Sequence, residues 1–234
     1  MMEKKKILIL GGSGAVGTET WKTLVSSNRL SHLTFLGRKK VEIRESSGSI
    51  TLTQHNIDIF NPSSYSDYLS EHDTAICTLG VGEPSKMTKE EFIQIDRDAV
   101  LDFARACKAK GVKHFLLLGS VGANSKSSSF YLKTKGEIED GLRSMQFDVL
   151  SLFRPSMILT PINRYGKSQA AILFLWPKVG PLFFGGFSNL RGVTVSDLGK
   201  SIAEIALTPD ITSLPKTAVY QWKEFQELSK RPVV

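Results

Sequence analysis

The stretch Ile7-Leu8-Ile9-Leu10-Gly11-Gly12-Ser13-Gly14-Ala15-Val16-Gly17 limits the possible folds more than any other part of this chain. Its apolar opening is too short for a helix and has no polar alternation, so it reads as a strand buried on both faces. A buried strand that turns through glycine into a helix opens a βαβ unit and a parallel sheet. Glycine has three uses at such a turn: it permits a tight bend, a close backbone approach to a pyrophosphate, and close packing of helix on strand. The helix start then offers unpaired N–H groups and a partial positive charge, which suit phosphate. Two spacings overlap, Gly11, Gly14, Gly17 and Gly12, Gly14, Gly17, so the glycines alone leave the motif ambiguous. With the strand before them and a βαβ pattern after them, they predict a dinucleotide site at Gly11, Ser13, Gly14, Ala15, Val16 and Gly17.

The rest of the chain repeats the alternation of short apolar runs and longer amphipathic segments. Candidate strands are Lys6 to Leu10, Leu33 to Leu36, Ile50 to Gln54, Ala75 to Leu79, Phe115 to Leu118 and Val149 to Phe153. They predict an α/β fold, a doubly wound parallel sheet of the Rossmann type. The clearest helix lies between the fourth and fifth strands, with Phe92, Val100, Phe103, Ala104 and Cys107 on one stripe and Gly111 placed to end it. After Arg154 and Pro155 comes an aromatic region, Phe174, Trp176, Phe183, Phe184 and Phe187, broken by Pro161, Pro177 and Pro181. It predicts a small substrate lobe over residues 156–195, within one dinucleotide-binding domain of 234 residues. The chain closes with a helix near Ser196 to Ala206, a short strand around Ala218 to Tyr220, and an amphipathic tail through Trp222, Phe225 and Leu228.

Composition removes other classes. The net charge of +7 invites a nucleic-acid partner, but the basic residues cluster weakly and no aromatics interleave with them. The opening apolar run is too short for a secretory signal, and Ala170 to Trp176 is far shorter than the ~20 residues of a membrane span. Cys77 and Cys107 make no disulfide framework, and His32, His55, His72 and His114 are scattered, so neither a metal site nor an oxidising compartment is expected. The expected location is the cytoplasm.

Cofactor choice is read at the end of the second strand, where an acid would hold the 2′-hydroxyl of NAD. Here stands Gly37-Arg38-Lys39-Lys40. Arg38 can fork to a 2′-phosphate and Lys39 can add a point charge, which predicts NADPH over NADH. The alternative is a solvated basic loop with Glu42 or Glu45 reaching back to an NAD ribose.

A second constellation is Ser120 at the end of the fifth strand, followed by Tyr131 and Lys135. The i to i+4 spacing puts Tyr131 and Lys135 on one helix face. Bringing a phenol from its usual range to neutrality takes about 4 kcal/mol, and an ammonium about 4 Å away can supply that in a partly desolvated site. Tyr131 is then the expected proton donor to a carbonyl, Ser120 its positioning hydroxyl, and Lys135 the tuning charge that also holds the nicotinamide ribose. Asp96 and Asp98 read as solvated or helix-capping. The surroundings of Ser120, Gly119-Ser120-Val121-Gly122, are not a hydrolase nucleophile elbow.

In combination these residues resemble the atypical short-chain dehydrogenases/reductases, and more closely their Tat-interacting-protein-like branch of NADPH-binding proteins. The matching stretches are the glycine loop, Leu36-Gly37-Arg38-Lys39, Ile95-Asp96-Arg97-Asp98, Val112 to Ser120, Phe130 to Glu137, and Phe153-Arg154-Pro155. The resemblance implies a Rossmann fold, NADPH binding, the Ser120, Tyr131, Lys135 triad, and cofactor contacts at Leu79, Gly80 and Pro155. It also implies an adenine contact at Asp58. It leaves two functions open, an NADPH-dependent reductase of a small apolar carbonyl or quinone, and an NADPH-binding regulator or redox sensor without turnover. Oligomeric state and protein partners are not legible in the sequence.

Overall fold

The computed structural model describes residues 4–42, 50–81, 87–160 and 185–232. Seven parallel strands form one sheet: β1 (Lys5–Leu10), β2 (Leu30–Gly37), β3 (Thr51–Asn56), β4 (Thr74–Cys77), β5 (His114–Leu118), β6 (Val149–Phe153) and β9 (Thr217–Tyr220). Their order is β3-β2-β1-β4-β5-β6-β9. This is the doubly wound Rossmann arrangement, and the chain reverses its winding between β1 and β4. A ligand crevice therefore belongs at the carboxyl ends of those two strands.

Central strands are almost wholly apolar because helices cover both faces, whereas β3, at an edge, carries Thr51, Thr53, Gln54 and His55. On one face α1 (Ala15–Val25), α5 (Val195–Ala206) and α6 (Trp222–Leu228) enclose a core of Ile7, Ile9, Leu24, Leu33, Leu198 and Phe225. On the other, α3 (Ala99–Ala109) and α4 (Phe130–Ser144) cover Leu8, Leu10, Phe103, Phe115, Ile138 and Leu152.

Three sequence expectations change. The strand near Ala218 to Tyr220 joins the main sheet beside β6, so the sheet has seven strands where six were expected. The long helix after β4 is interrupted: α2 (Lys89–Ile93) passes into a π-helical turn at Gln94–Asp98 before α3 begins. And β4 stops at Cys77, which leaves Thr78, Leu79 and Gly80 as crevice-facing loop.

The expected lobe lies largely outside the described residues, with Phe174, Trp176, Phe183, Phe184, the side chain of Phe187, and Pro161, Pro177 and Pro181. Its two ends are described, and they pair as a short parallel ladder, β7 (Ile158–Leu159) with β8 (Val193–Thr194). Glu45 also falls outside. No helix among the described residues is long and apolar enough to cross a membrane.

Candidate functional site

The glycine loop seats directly against the end of β4. Gly11 has φ +91°, and a Cβ there would lie 2.7 Å from the backbone nitrogen of Leu79. A Cβ on Gly17 would lie 2.3 Å from the Gly11 carbonyl oxygen, so α1 can start this close to β1 only with glycine at that position. Gly14 donates its N–H to Gly11 O at 3.0 Å and caps α1 without a side-chain hydrogen bond, and the first turn of α1 carries no acid. The helix dipole and the first amides, from Ala15 and Val16 onward, are thus presented to an anion with no carboxylate in competition. Thr78, which the sequence reading passed over, closes the arrangement: its hydroxyl donates to Gly11 O at 3.0 Å.

Beyond β2 a small recess is lined by Gly12, Ser13, Gly37, Lys39, Lys40 and His55, among others. Lys39 is where the sequence placed it, and Lys40 joins it. Arg38 is exposed at the same turn without lining the recess. Asp58 sits just past β3, exposed, with Oδ1 accepting from the Phe60 N–H at 2.9 Å.

The other half of the site is built on α4. Ser129 caps this helix, accepting from the Leu132 N–H at 3.5 Å. Gly136 admits the preceding loop, since a Cβ there would lie 2.0 Å from the Ser125 nitrogen. Tyr131, Lys135 and Glu139 follow at intervals of four and share a face. Lys135 is only 7% exposed, and its Nζ lies 5.7 Å from the Tyr131 ring centroid.

The partner of Lys135 was not foreseen. Asp96, on the π-helical turn and 1% exposed, meets Lys135 Nζ at 2.5 Å, and its other oxygen accepts from the Val81 N–H at 2.7 Å. The reading of Asp96 as solvated is therefore wrong: a carboxylate this deeply buried needs a cation and a donor, and it has both. Asp98 is partly exposed and pairs with Arg97 at 2.8 Å, and Arg97 also reaches Glu137 on α4 at 3.0 Å. Burial alone would lower the Lys135 pKa, but the Asp96 carboxylate, with a smaller contribution from Tyr131, raises it above its usual value. Lys135 is a fixed cation.

Gly80 borders this pair, since a Cβ on it would lie 3.9 Å from Lys135 Nζ. Glu139, 1% exposed, is held by Arg143 at 2.9 Å and by Arg154 through both its oxygens. Its hydrogen bond raises the Arg154 pKa. Arg154 precedes Pro155, whose carbonyl accepts from the Val121 N–H at 2.9 Å, so Pro155 stands beside the Ser120 turn. Ser120 itself is largely buried, and its hydroxyl donates to the Val121 carbonyl at 3.3 Å.

The fold thus brings the glycine loop against the end of β4 and Gly80 against the Asp96–Lys135 pair, with the Val121–Pro155 contact at the end of the neighbouring β5, and residues 11–161 match the profile of the NAD(P)H-binding family. The chain belongs to that family. Among similar proteins, HTATIP2 of Rattus norvegicus is 37% identical over 158 residues, 68% of this chain and 64% of the rat protein's length. FMP52 of Candida albicans, named as mitochondrial, is 30% identical over 202 residues, 85% of this chain and 86% of that protein. MoeE5, solved with UDP-glucose and NAD, superposes with a TM-score of 0.65 at 15% identity, covering 96% of this chain and 80% of its own. These likenesses bear out the resemblance to the Tat-interacting-protein-like branch and the Rossmann fold.

They overturn the cytoplasmic expectation, because several similar fungal proteins are named as mitochondrial. Physically, Cys77 and Cys107 are both buried, so their free thiols do not distinguish one reducing compartment from another. Among the described residues of this NAD(P)H-binding chain, no group of three or more His, Cys, Asp or Glu could hold a metal ion. His32 and His72 do come together, with ring centroids 5.6 Å apart, in a hydroxyl network through Thr34 and Thr53 far from the glycines in sequence.

Proposed function

We propose that this chain is an NADPH-dependent reductase of a small apolar carbonyl or quinone. The observation that carries the reading is the stripe on α4, where Tyr131 stands one turn from a lysine that Asp96 holds in place and in its charged form. The start of α1, capped by Gly14 with no side-chain hydrogen bond, and the glycine loop fit the diphosphate of a dinucleotide, and Lys39 and Lys40 fit its 2′-phosphate. A bound reduced nicotinamide would supply the hydride for such a reduction. Tyr131 gives its phenolic proton to the carbonyl oxygen, so that the product is an alcohol. Ser120 holds that oxygen by hydrogen bonding, and Lys135 stabilises the phenolate left on Tyr131 and holds the ribose. Leu79, Gly80 and Pro155 would border the cofactor, and Asp58 would contact its adenine.

The second reading, a binder that senses NADPH without turnover, draws support from the same ion pair. Asp96 offsets part of the attraction that Lys135 offers to a phenolate, and Lys135 remains suited to holding ribose. NADPH oxidation with a panel of apolar aldehydes, ketones and quinones separates the two. The expected result is turnover that falls about 10²- to 10⁴-fold in Tyr131→Phe with cofactor affinity retained. Turnover unaltered by that change defeats the catalytic role, and tight NADPH binding with no turnover establishes the sensor.

A further inference from the structure

We propose that Gln54 is a specificity-determining positioning residue: its carboxamide clamps the basic turn after β2 and so sets the preference for a 2′-phosphate over a 2′-hydroxyl. The inference rests on the NADPH reading above. Gln54 lies on β3 opposite Phe35 of β2, and its side chain meets the backbone of Val41 twice. Its Oε1 accepts from the Val41 N–H at 2.8 Å, and its Nε2 donates to the Val41 carbonyl at 3.0 Å.

A carboxamide is suited to this because it carries an acceptor and a donor side by side, as a peptide group does. Beyond Gly37 the chain has left the sheet, and this side chain takes the place of a neighbouring strand. Lys39 and Lys40 immediately precede the clamped residue, are exposed, and line the recess with Gly12, Ser13 and Gln54 itself. A lysine side chain loses rotamer freedom when it is held, so a phosphate bound by lysines on a loose loop would have to order backbone as well as side chains. The clamp removes the backbone share. A ribose hydroxyl draws little from these cations, so losing the clamp weakens NADPH selectively.

The test is the dissociation constant of the full chain for NADPH and for NADH, measured for wild type, Gln54→Met and Gln54→Glu. Gln54→Met keeps length and loses both bonds. It is expected to weaken NADPH about tenfold and to leave NADH within about twofold. Gln54→Glu keeps the acceptor, loses the donor and sets a negative charge beside the phosphate, so NADPH falls further than in Gln54→Met. Equal weakening of both cofactors, or an unchanged ratio in both variants, overturns the clamp while leaving the NADPH reading intact. A wild-type chain that binds NADH more tightly overturns the cofactor reading and the clamp with it.

Discussion

Along α4 the charged groups of the site are buried or half-buried and each is answered by an opposite charge, whereas on the turn after β2 the cations are exposed and only the backbone beneath them is held. Lys135 has Asp96, Glu139 has Arg143 and Arg154, and Glu137 has Arg97. Lys39 and Lys40 stand in solvent above a carboxamide that grips Val41. A buried ion is costly to leave alone, so its position is fixed by its partner and its removal is felt by the whole fold. An exposed cation is screened and mobile, so it contributes chiefly when a ligand supplies the counter-charge. The same crevice thus holds one half rigidly and leaves the other to be completed by what binds.

The sharpest way to break that contrast is to remove one charge from each half. Lys135→Met leaves Asp96 buried with only the Val81 N–H, and unfolding free energy is expected to drop by about 3–5 kcal/mol. Arg38→Ala, on the exposed turn, is expected to stay within about 0.5 kcal/mol of wild type. Urea unfolding of both variants reads the difference. Adding Asp96→Leu to Lys135→Met removes the orphan carboxylate, and the double variant should recover much of the loss. A Lys135→Met protein as stable as wild type would mean that Asp96 is solvated after all.

How far this contrast was legible in the sequence depends on whether a residue's meaning is local. The glycine loop, the strands and the Tyr131–Lys135 spacing are local patterns, and they were readable. The Asp96–Lys135 and Arg97–Glu137 pairs join residues 39 and 40 positions apart, and only the fold brings them together. Even so, Asp96 left a trace: it sits four residues after Phe92 and four before Val100, on the apolar stripe of the clearest helix. An acid on such a stripe requires a partner, and Lys135 of the Tyr131–Lys135 spacing was available. Glu139 likewise continues the Tyr131, Lys135 spacing by one more turn. Thr78 and Gln54 left no such mark, since a threonine after a strand and a glutamine in an edge strand are ordinary. The seventh strand was missed as part of the sheet because four residues of mixed polarity carry no information about which neighbour they pair with.

His114 sharpens the comparison from the other side. It is fully buried in β5, its Nε2 hydrogen-bonds Ser151 Oγ at 2.9 Å, and its Nδ1 has no hydrogen-bond partner among the described residues. With a hydroxyl in place of a carboxylate beside it, burial, followed by the charge of Lys5, pushes its pKa down to about 3. The folded protein keeps this imidazole neutral, while the unfolded chain takes up a proton below about 6.5. Its stabilising effect is therefore complete above that pH and is lost as pH falls toward 3, at up to about 1.4 kcal/mol per pH unit. His32 and His72 are shifted in the same direction, chiefly by burial. Urea midpoints between pH 7 and pH 4.5 should fall less steeply in His114→Leu than in wild type. Parallel curves would show that His114 is protonated in the folded state.

The smallest effect belongs to the exposed half, and it distinguishes a ligand-completed site from a merely solvated turn. Lys39→Ala and Lys40→Ala are expected to leave the melting temperature unchanged, because neither residue is buried. Each should weaken NADPH about three- to tenfold, roughly 1 kcal/mol, with NADH unaffected. Since the interaction is between exposed charges, the loss should shrink as salt rises from 50 mM to 500 mM. Both halves of that expectation are needed. A loss that persists at high salt would mean that the lysine shapes the loop, and one shared by NADH would mean that it serves the diphosphate. Only a selective, salt-sensitive loss matches cations waiting in solvent for a phosphate that the carboxamide of Gln54 has positioned them to receive.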